Sequence, residues 1–344
     1  MNYLRFILVL AVLVGIVFLW GRFLGVSHRQ YQKIKVYVEN QIEQKAVVHK
    51  VGPDGMAPQF VVFFAHGFLG FNSFSGQDSW NEFVHRMAPG LRGMSYLVYH
   101  PGFIQTKDVQ TFSQESDVYQ ARLHLEFLID KVQGKGVSKT LQGHAVSGLP
   151  ILCVGHSNGS ATLLSLFSYH KNLAYNVRGL VLLAPYADLS AVSTMAKVGR
   201  WAGDLFARIG FNLLYAPSYN PFGSSPLQQV KNGDFASTLP TLIVSNRNDR
   251  VVYFKNRELL AQAFGQQKKY SKTVQFLDME TGGHNWAWKR SVVHKNTQVR
   301  KNIKSKKLTF RLGLKHCKYL TYLQRVDRMR FQKAIAAFVR KYIV

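Results

Sequence analysis

The stretch that decides the fold is Ile151-Leu-Cys-Val-Gly-His-Ser-Asn-Gly159. Its four leading apolar residues have the length of a buried strand, and the pattern from Asn158 to about Tyr169 is helical. Between them lies G-x-S-x-G, in which a strand turns abruptly into a helix. Such a turn holds the middle serine in a strained conformation, and the glycines let neighbouring backbone pass close by. The Ser157 hydroxyl is thereby presented beside a helix N-terminus. The bland alternative is an ordinary turn serine, and the strand, turn and helix context weighs against it.

Reading outward, strands and helices alternate. Before the elbow come an apolar run at Phe60 to Ala65, a helical pattern at Trp80 to Met87, a strand at Tyr96 to Tyr99 and a helix at Val118 to Val132. After it come strands at Leu180 to Leu183, Thr241 to Val244 and Val274 to Leu277, with a helix at Arg257 to Phe264 before the last. Short continuous apolar runs of this kind mark parallel strands buried on both faces, joined by right-handed helical crossovers. The fold class is therefore α/β. Nearer the start, Ile34, Val36 and Val38 alternate with polar neighbours as in a half-buried strand, and Ala46 to Val51 supplies a partner before the Gly52-Pro-Asp-Gly55 turn. The interval from about 190 to 239 breaks the alternation with Trp201, Phe206, Phe211 and Leu213, and is too long for a plain loop. It reads as an inserted cap.

A serine hydroxyl is a weak nucleophile and needs a base held in place by an acid. Asp249 follows the Thr241 strand and His284 follows the Val274 strand, so candidate groups lie at strand ends, where ligands sit in open parallel sheets. Asp188, after the Leu180 strand, is the reserve candidate for the acid. A negative oxygen developing on the substrate would need two aligned N–H donors. The backbone N–H of Asn158 and that of Phe68, in the loop His66-Gly-Phe-Leu-Gly70, are the candidates. His66 is read as a structural residue of that loop and Cys153 as core.

Together, His66-Gly67-Phe68, Gly155-His156-Ser157-Asn158-Gly159, Leu182-Leu-Ala-Pro185, Pro240-Thr-Leu-Ile-Val244 with Asp249-Arg-Val-Val252, and Gly283-His284-Asn285 resemble the α/β-hydrolase superfamily. Within it, the chain is most similar to monoacylglycerol lipase and lysophospholipase-like serine hydrolases, over roughly residues 58 to 286. The resemblance implies a mostly parallel eight-stranded sheet, a cap after the sixth strand and esterase-type chemistry without metal or organic cofactor. The chain departs from that pattern in the loop after the Tyr96 strand, His100-Pro-Gly-Phe-Ile-Gln105. It departs again in a basic insertion at about 288–327, ahead of a closing helix at Arg328 to Tyr342. No aspartate occupies the nucleophile position of the elbow, which argues against dehalogenase or epoxide-hydrolase chemistry.

With 47% hydrophobic and 18% charged residues, the 344-residue chain has a globular composition. Its formal charge of +26 is uneven. From Lys289 onward, 17 Lys and Arg face the single acid Asp327, a stretch suited to anionic lipid or to a solvated basic face. Two cysteines make no disulfide or metal framework. Between Arg5 and Arg22 runs Phe6 to Gly21, uncharged and close to the length of a membrane span. Residues 1–29 read as a membrane anchor, with a cleaved signal peptide as the rival, and 30–344 as the hydrolase domain. The flanking charges favour a cytoplasmic body, whereas a bare N-terminal signal anchor often exports the domain behind it. The expected partners are an acyl ester or lipid substrate and the membrane, rather than nucleic acid. The alternative is a non-catalytic module of the same fold that binds anionic membrane or nucleic acid through its basic C-terminal segment.

Overall fold

Alternation along the apolar runs accounts for the sheet. In the computed structural model, which describes residues 47–50, 57–65, 67, 93–98, 114–135, 140–141, 144–187, 225–249, 251–281, 284 and 309–344, seven strands form one sheet. These are β1 (Val47–Lys50), β2 (Phe60–Ala65), β3 (Gly93–Val98), β6 (Ile151–His156), β7 (Gly179–Leu183), β8 (Thr241–Asn246) and β9 (Val274–Met279). Their order is β1-β3-β2-β6-β7-β8-β9, antiparallel at the β1–β3 pair and parallel at every other pair. A two-stranded ladder, β4 (Thr140–Leu141) with β5 (His144–Ala145), lies apart from it.

Among the described residues five α-helices accompany the sheet: α1 (Gln114–Val132), α2 (Asn158–Tyr169), α3 (Pro226–Lys231), α4 (Lys255–Gly265) and α5 (Thr309–Tyr342). Val61, Phe63, Ile151, Cys153, Leu180, Leu182 and Ile243 pack in one cluster with residues of α1, α2, α3 and α4. Their chain neighbours Phe60, Val62, Phe64, Leu152, Val154, Val181, Leu242 and Val244 pack in a second cluster with Phe331, Ile335, Phe338 and Val339 of α5. Both faces are covered, so Phe60–Ala65, Ile151–Val154, Leu180–Leu183 and Leu242–Val244 are apolar at every position. Sheet and helices thus form the α/β sandwich of three layers expected from the alternation.

Three expectations change. Among the described residues the sheet has seven strands rather than eight, and the further strand expected at Ile34 to Val38 lies outside them. The closing helix begins at Thr309, not Arg328, so residues 309–327 of the supposed insertion belong to it. Basic residues at Arg311, Lys315, Lys318 and Arg325 mask a helical spacing of Leu312, Tyr319, Leu320 and Leu323 that runs on into Phe331, Ile335 and Phe338. Most of the interval assigned to a cap, its part at 190–224, lies outside the described residues. Its last part forms α3 and delivers Val230, Phe235, Ala236 and Leu239 to the first core cluster, where they join the body of the domain. The Trp80 to Met87 helix and the Phe6 to Gly21 segment also lie outside the described residues. Among those described, no helix is long and apolar enough to cross a membrane.

Candidate active site

β6 sits at the centre of the sheet and ends at His156, and α2 starts at Asn158. One residue makes the turn. Ser157 does so with φ 51° and ψ −115°, a conformation that costs an L-residue of order 1–3 kcal/mol and persists only where its surroundings hold it. Its N–H donates to Leu183 O at 2.8 Å, and Ser160 Oγ donates to the same carbonyl at 2.9 Å. The elbow is therefore tied to the end of β7. Gly155 has no room for a side chain, since a Cβ there would stand 2.6 Å from Ser160 Cα and 2.7 Å from Gly159 O. Gly67, just beyond β2, is equally confined: a Cβ there would lie 2.9 Å from His156 Nδ1 and 3.1 Å from Ser157 Cβ. Gly67 thus lies directly beside the serine.

β8 and β9 bring the other two groups to the same end of the sheet. Asp249 is 4% exposed, and its Oδ1 accepts the N–H groups of Val251 and Val252 at 2.8 and 2.9 Å. That leaves Oδ2 for His284, whose Nδ1 donates to it at 2.7 Å. Because a carboxylate only accepts, the imidazole proton is held on Nδ1 and the lone pair on Nε2. His156 links this pair to the elbow. Its Nε2 donates to His284 O at 3.2 Å, and the two imidazole centroids are 4.8 Å apart. Among the described residues no hydrogen bond joins the Ser157 hydroxyl to the His284 ring; such contacts are often loose before substrate is bound.

The turn after β8 and the turn after β9 are clasped to each other. Asn246 Nδ2 donates to Thr281 O, Asn248 Nδ2 donates to Glu280 O at 2.6 Å, and Arg247 N–H donates to Met279 O at 2.8 Å. Asp327 of α5 fixes the second turn. Its Oδ2 accepts from Glu280 N at 2.9 Å, Thr281 N at 2.7 Å and Thr281 Oγ1 at 2.8 Å. Sequence reasoning missed this residue, and the available signal was a lone acid in a strongly basic segment. It also missed the bridging position of His156 and the contact between Asn158 and Tyr186, whose phenol donates to Asn158 Oδ1 at 2.8 Å.

Of the sequence candidates, Ser157, Asn158, Asp249 and His284 gather at this end of the sheet, Asn158 as the first residue of α2. Phe68, His66 and Asp188 lie outside the described residues. Cys153 is buried in the core, where desolvation pushes its thiol pKa well up. Among the described residues no group of His, Cys, Asp and Glu has the makings of a metal site.

No protein-family model matches this chain, and neither does any curated protein. Among solved structures it is similar to an esterase of Pyrococcus furiosus, at 12% identity over 89% of this chain and 95% of that one, with a TM-score of 0.48. It is similar also to carboxyl esterase 2 of the fungus Tuber melanosporum, at 13% identity over 85% and 86%, with a TM-score of 0.45. A third is the esterase domain of a Rhodothermus marinus protein, at 14% identity over 86% and 93%, with a TM-score of 0.44. Overlap of this quality adds nothing to what the chain's own strands and side chains show.

Proposed function

We propose that this chain is a serine hydrolase that cleaves carboxylic esters through an acyl-enzyme, in the monoacylglycerol lipase-like branch of the α/β-hydrolases. The observation that supports the reading best is a positive-φ serine at a strand–helix elbow, at the same sheet end as a histidine whose Nδ1 is held by a buried carboxylate. In this reading Nε2 of His284 removes the Ser157 proton as the oxygen attacks the acyl carbonyl. The N–H groups of Asn158 and Phe68 receive the oxyanion. His284 then protonates the leaving alcohol, and water repeats the sequence on the acyl-enzyme.

Acyl lipid is the proposed substrate, from the apolar residues of the 190–224 interval and the N-terminal apolar segment. That segment would anchor the protein, and the basic C-terminal part would add contacts to anionic lipid, each Lys or Arg contributing about 1 kcal/mol near the surface. Equal binding of a protein starting near Gln30 to neutral and anionic liposomes would remove the second contact.

The test of the chemistry is a fluorophosphonate probe with a p-nitrophenyl ester series. The wild type should be labelled and turn over, and Ser157→Ala should lose both, its kcat falling on the order of 10⁶-fold. An unlabelled, inactive wild type would favour the non-catalytic module, and near-normal turnover by Ser157→Ala would refute the nucleophile.

A further inference from the structure

Between Thr281 and His284 the sequence is Gly282-Gly283. His284 follows Thr281 by three residues, so the point from which the chain reaches it is set by what fixes Thr281. That fixture is Asp327. It comes from α5, 46 residues further on, and is itself 4% exposed. One oxygen receives two backbone donors and a hydroxyl, while Arg330 Nη1 lies 3.6 Å from the other. On its far side Thr281 is joined through its carbonyl to the buried Asn246, three residues ahead of Asp249. The line Asp327, Thr281, Asn246 therefore crosses the turns that carry the base and its acid. The side chains of Glu280 and Arg247 pair with each other at 3.1 Å on the surface.

We infer that Asp327 is a positioning residue: it holds Thr281 so that His284 keeps its Nδ1 bond to Asp249 and its Nε2 aimed at Ser157. This rests on the proposed triad. A displacement of about 1 Å at a reacting group can lower turnover about 10²-fold, so Asp327→Ala should lower kcat for p-nitrophenyl acetate roughly 10²-fold with KM little changed. Asp327→Asn, whose carboxamide oxygen can accept the same three donors, should recover most of the loss. Independently of any substrate, the downfield proton signal of His284 Nδ1–H should broaden or vanish in Asp327→Ala and return in Asp327→Asn.

A folded Asp327→Ala protein with wild-type kcat and an intact Nδ1–H signal overturns the inference, as does a variant that has lost only thermal stability. If Asp327→Ala does not fold, Thr281→Val decides, since it removes one of the three donors and keeps the shape. An unchanged kcat and signal in Thr281→Val would be equally fatal. Should Ser157→Ala show the triad to be wrong, the Nδ1–H comparison still judges the role of Asp327.

Discussion

Asp249→Asn is the most informative single change, because the surroundings of Asp249 dictate how the amide must sit. Val251 and Val252 N–H both point at Oδ1 at 2.8 and 2.9 Å, and only an oxygen accepts from them. Asparagine will therefore keep its oxygen there and place its NH₂ where Oδ2 was, 2.7 Å from His284 Nδ1. An NH₂ group donates, so Nδ1 must now accept and the imidazole proton moves to Nε2. In that tautomer Nε2 has no lone pair for the serine proton. The loss should be on the order of 10⁴ in kcat, equivalent to about 5.5 kcal/mol of barrier. Stability should hardly change, because both N–H donors stay paired. Asp249→Ala, in contrast, strands the buried Val252 N–H at about 1–3 kcal/mol, besides the part-buried Val251 N–H, and should lower the urea midpoint clearly. The assay is kcat on p-nitrophenyl butyrate at pH 7, beside urea denaturation of both variants. A fall of less than tenfold for Asp249→Asn, or equal destabilisation by Asn and Ala, would refute the tautomer argument.

Phe338 lies against β7, close enough that a Cβ on Gly179 would stand 2.8 Å from its Cε1, so Phe338→Ala should cost about 3–5 kcal/mol. A loss below about 1 kcal/mol by urea unfolding would mean that this side chain is not buried against the sheet. Tyr270 is buried, and desolvation, with the Asp234 charge second, pushes its pKa up to about 12. The folded state then holds the phenolic proton more tightly than the unfolded chain, whose tyrosine titrates near 10. This stabilisation is fully present below about pH 10 and is lost as pH rises through about 12. Tyr270→Phe should flatten the alkaline fall in stability while losing, at neutral pH, the 3.0 Å bond from its phenol to Phe235 O. An equally steep fall above pH 10 in the variant would count against it.

The strands were legible because burial on two faces leaves no polar position to blur them, as in Ile151 to Val154. The elbow serine, its helix and the two turns carrying Asp249 and His284 were legible from a motif and from strand ends. Other parts were not, for specific reasons. The first turns of α5 carry lysines and arginines whose charge drew more notice than the apolar spacing beneath. Residues 225–239 were joined to the cap because α3 is only six residues long, too short to show a period. The two-residue strands β4 and β5 leave no pattern at all. Asp327 was visible only as a charge, since which peptide groups a carboxylate will meet depends on a packing partner almost fifty residues away.

Because one face of the sheet is covered by the last described helix, the timing of synthesis acquires a meaning. At about 5–20 residues per second, the 34 residues of α5 take roughly 2–7 s to make. For that interval Val62, Phe64, Val154, Val181 and Val244 lack the α5 side chains that pack with them among the described residues. Any protein that stalls there is a substrate for chaperones or for aggregation. A chain cut short before Phe331 keeps the strand–helix elbow of Ser157 but loses Phe331, Ile335, Phe338 and Val339 from the second core cluster.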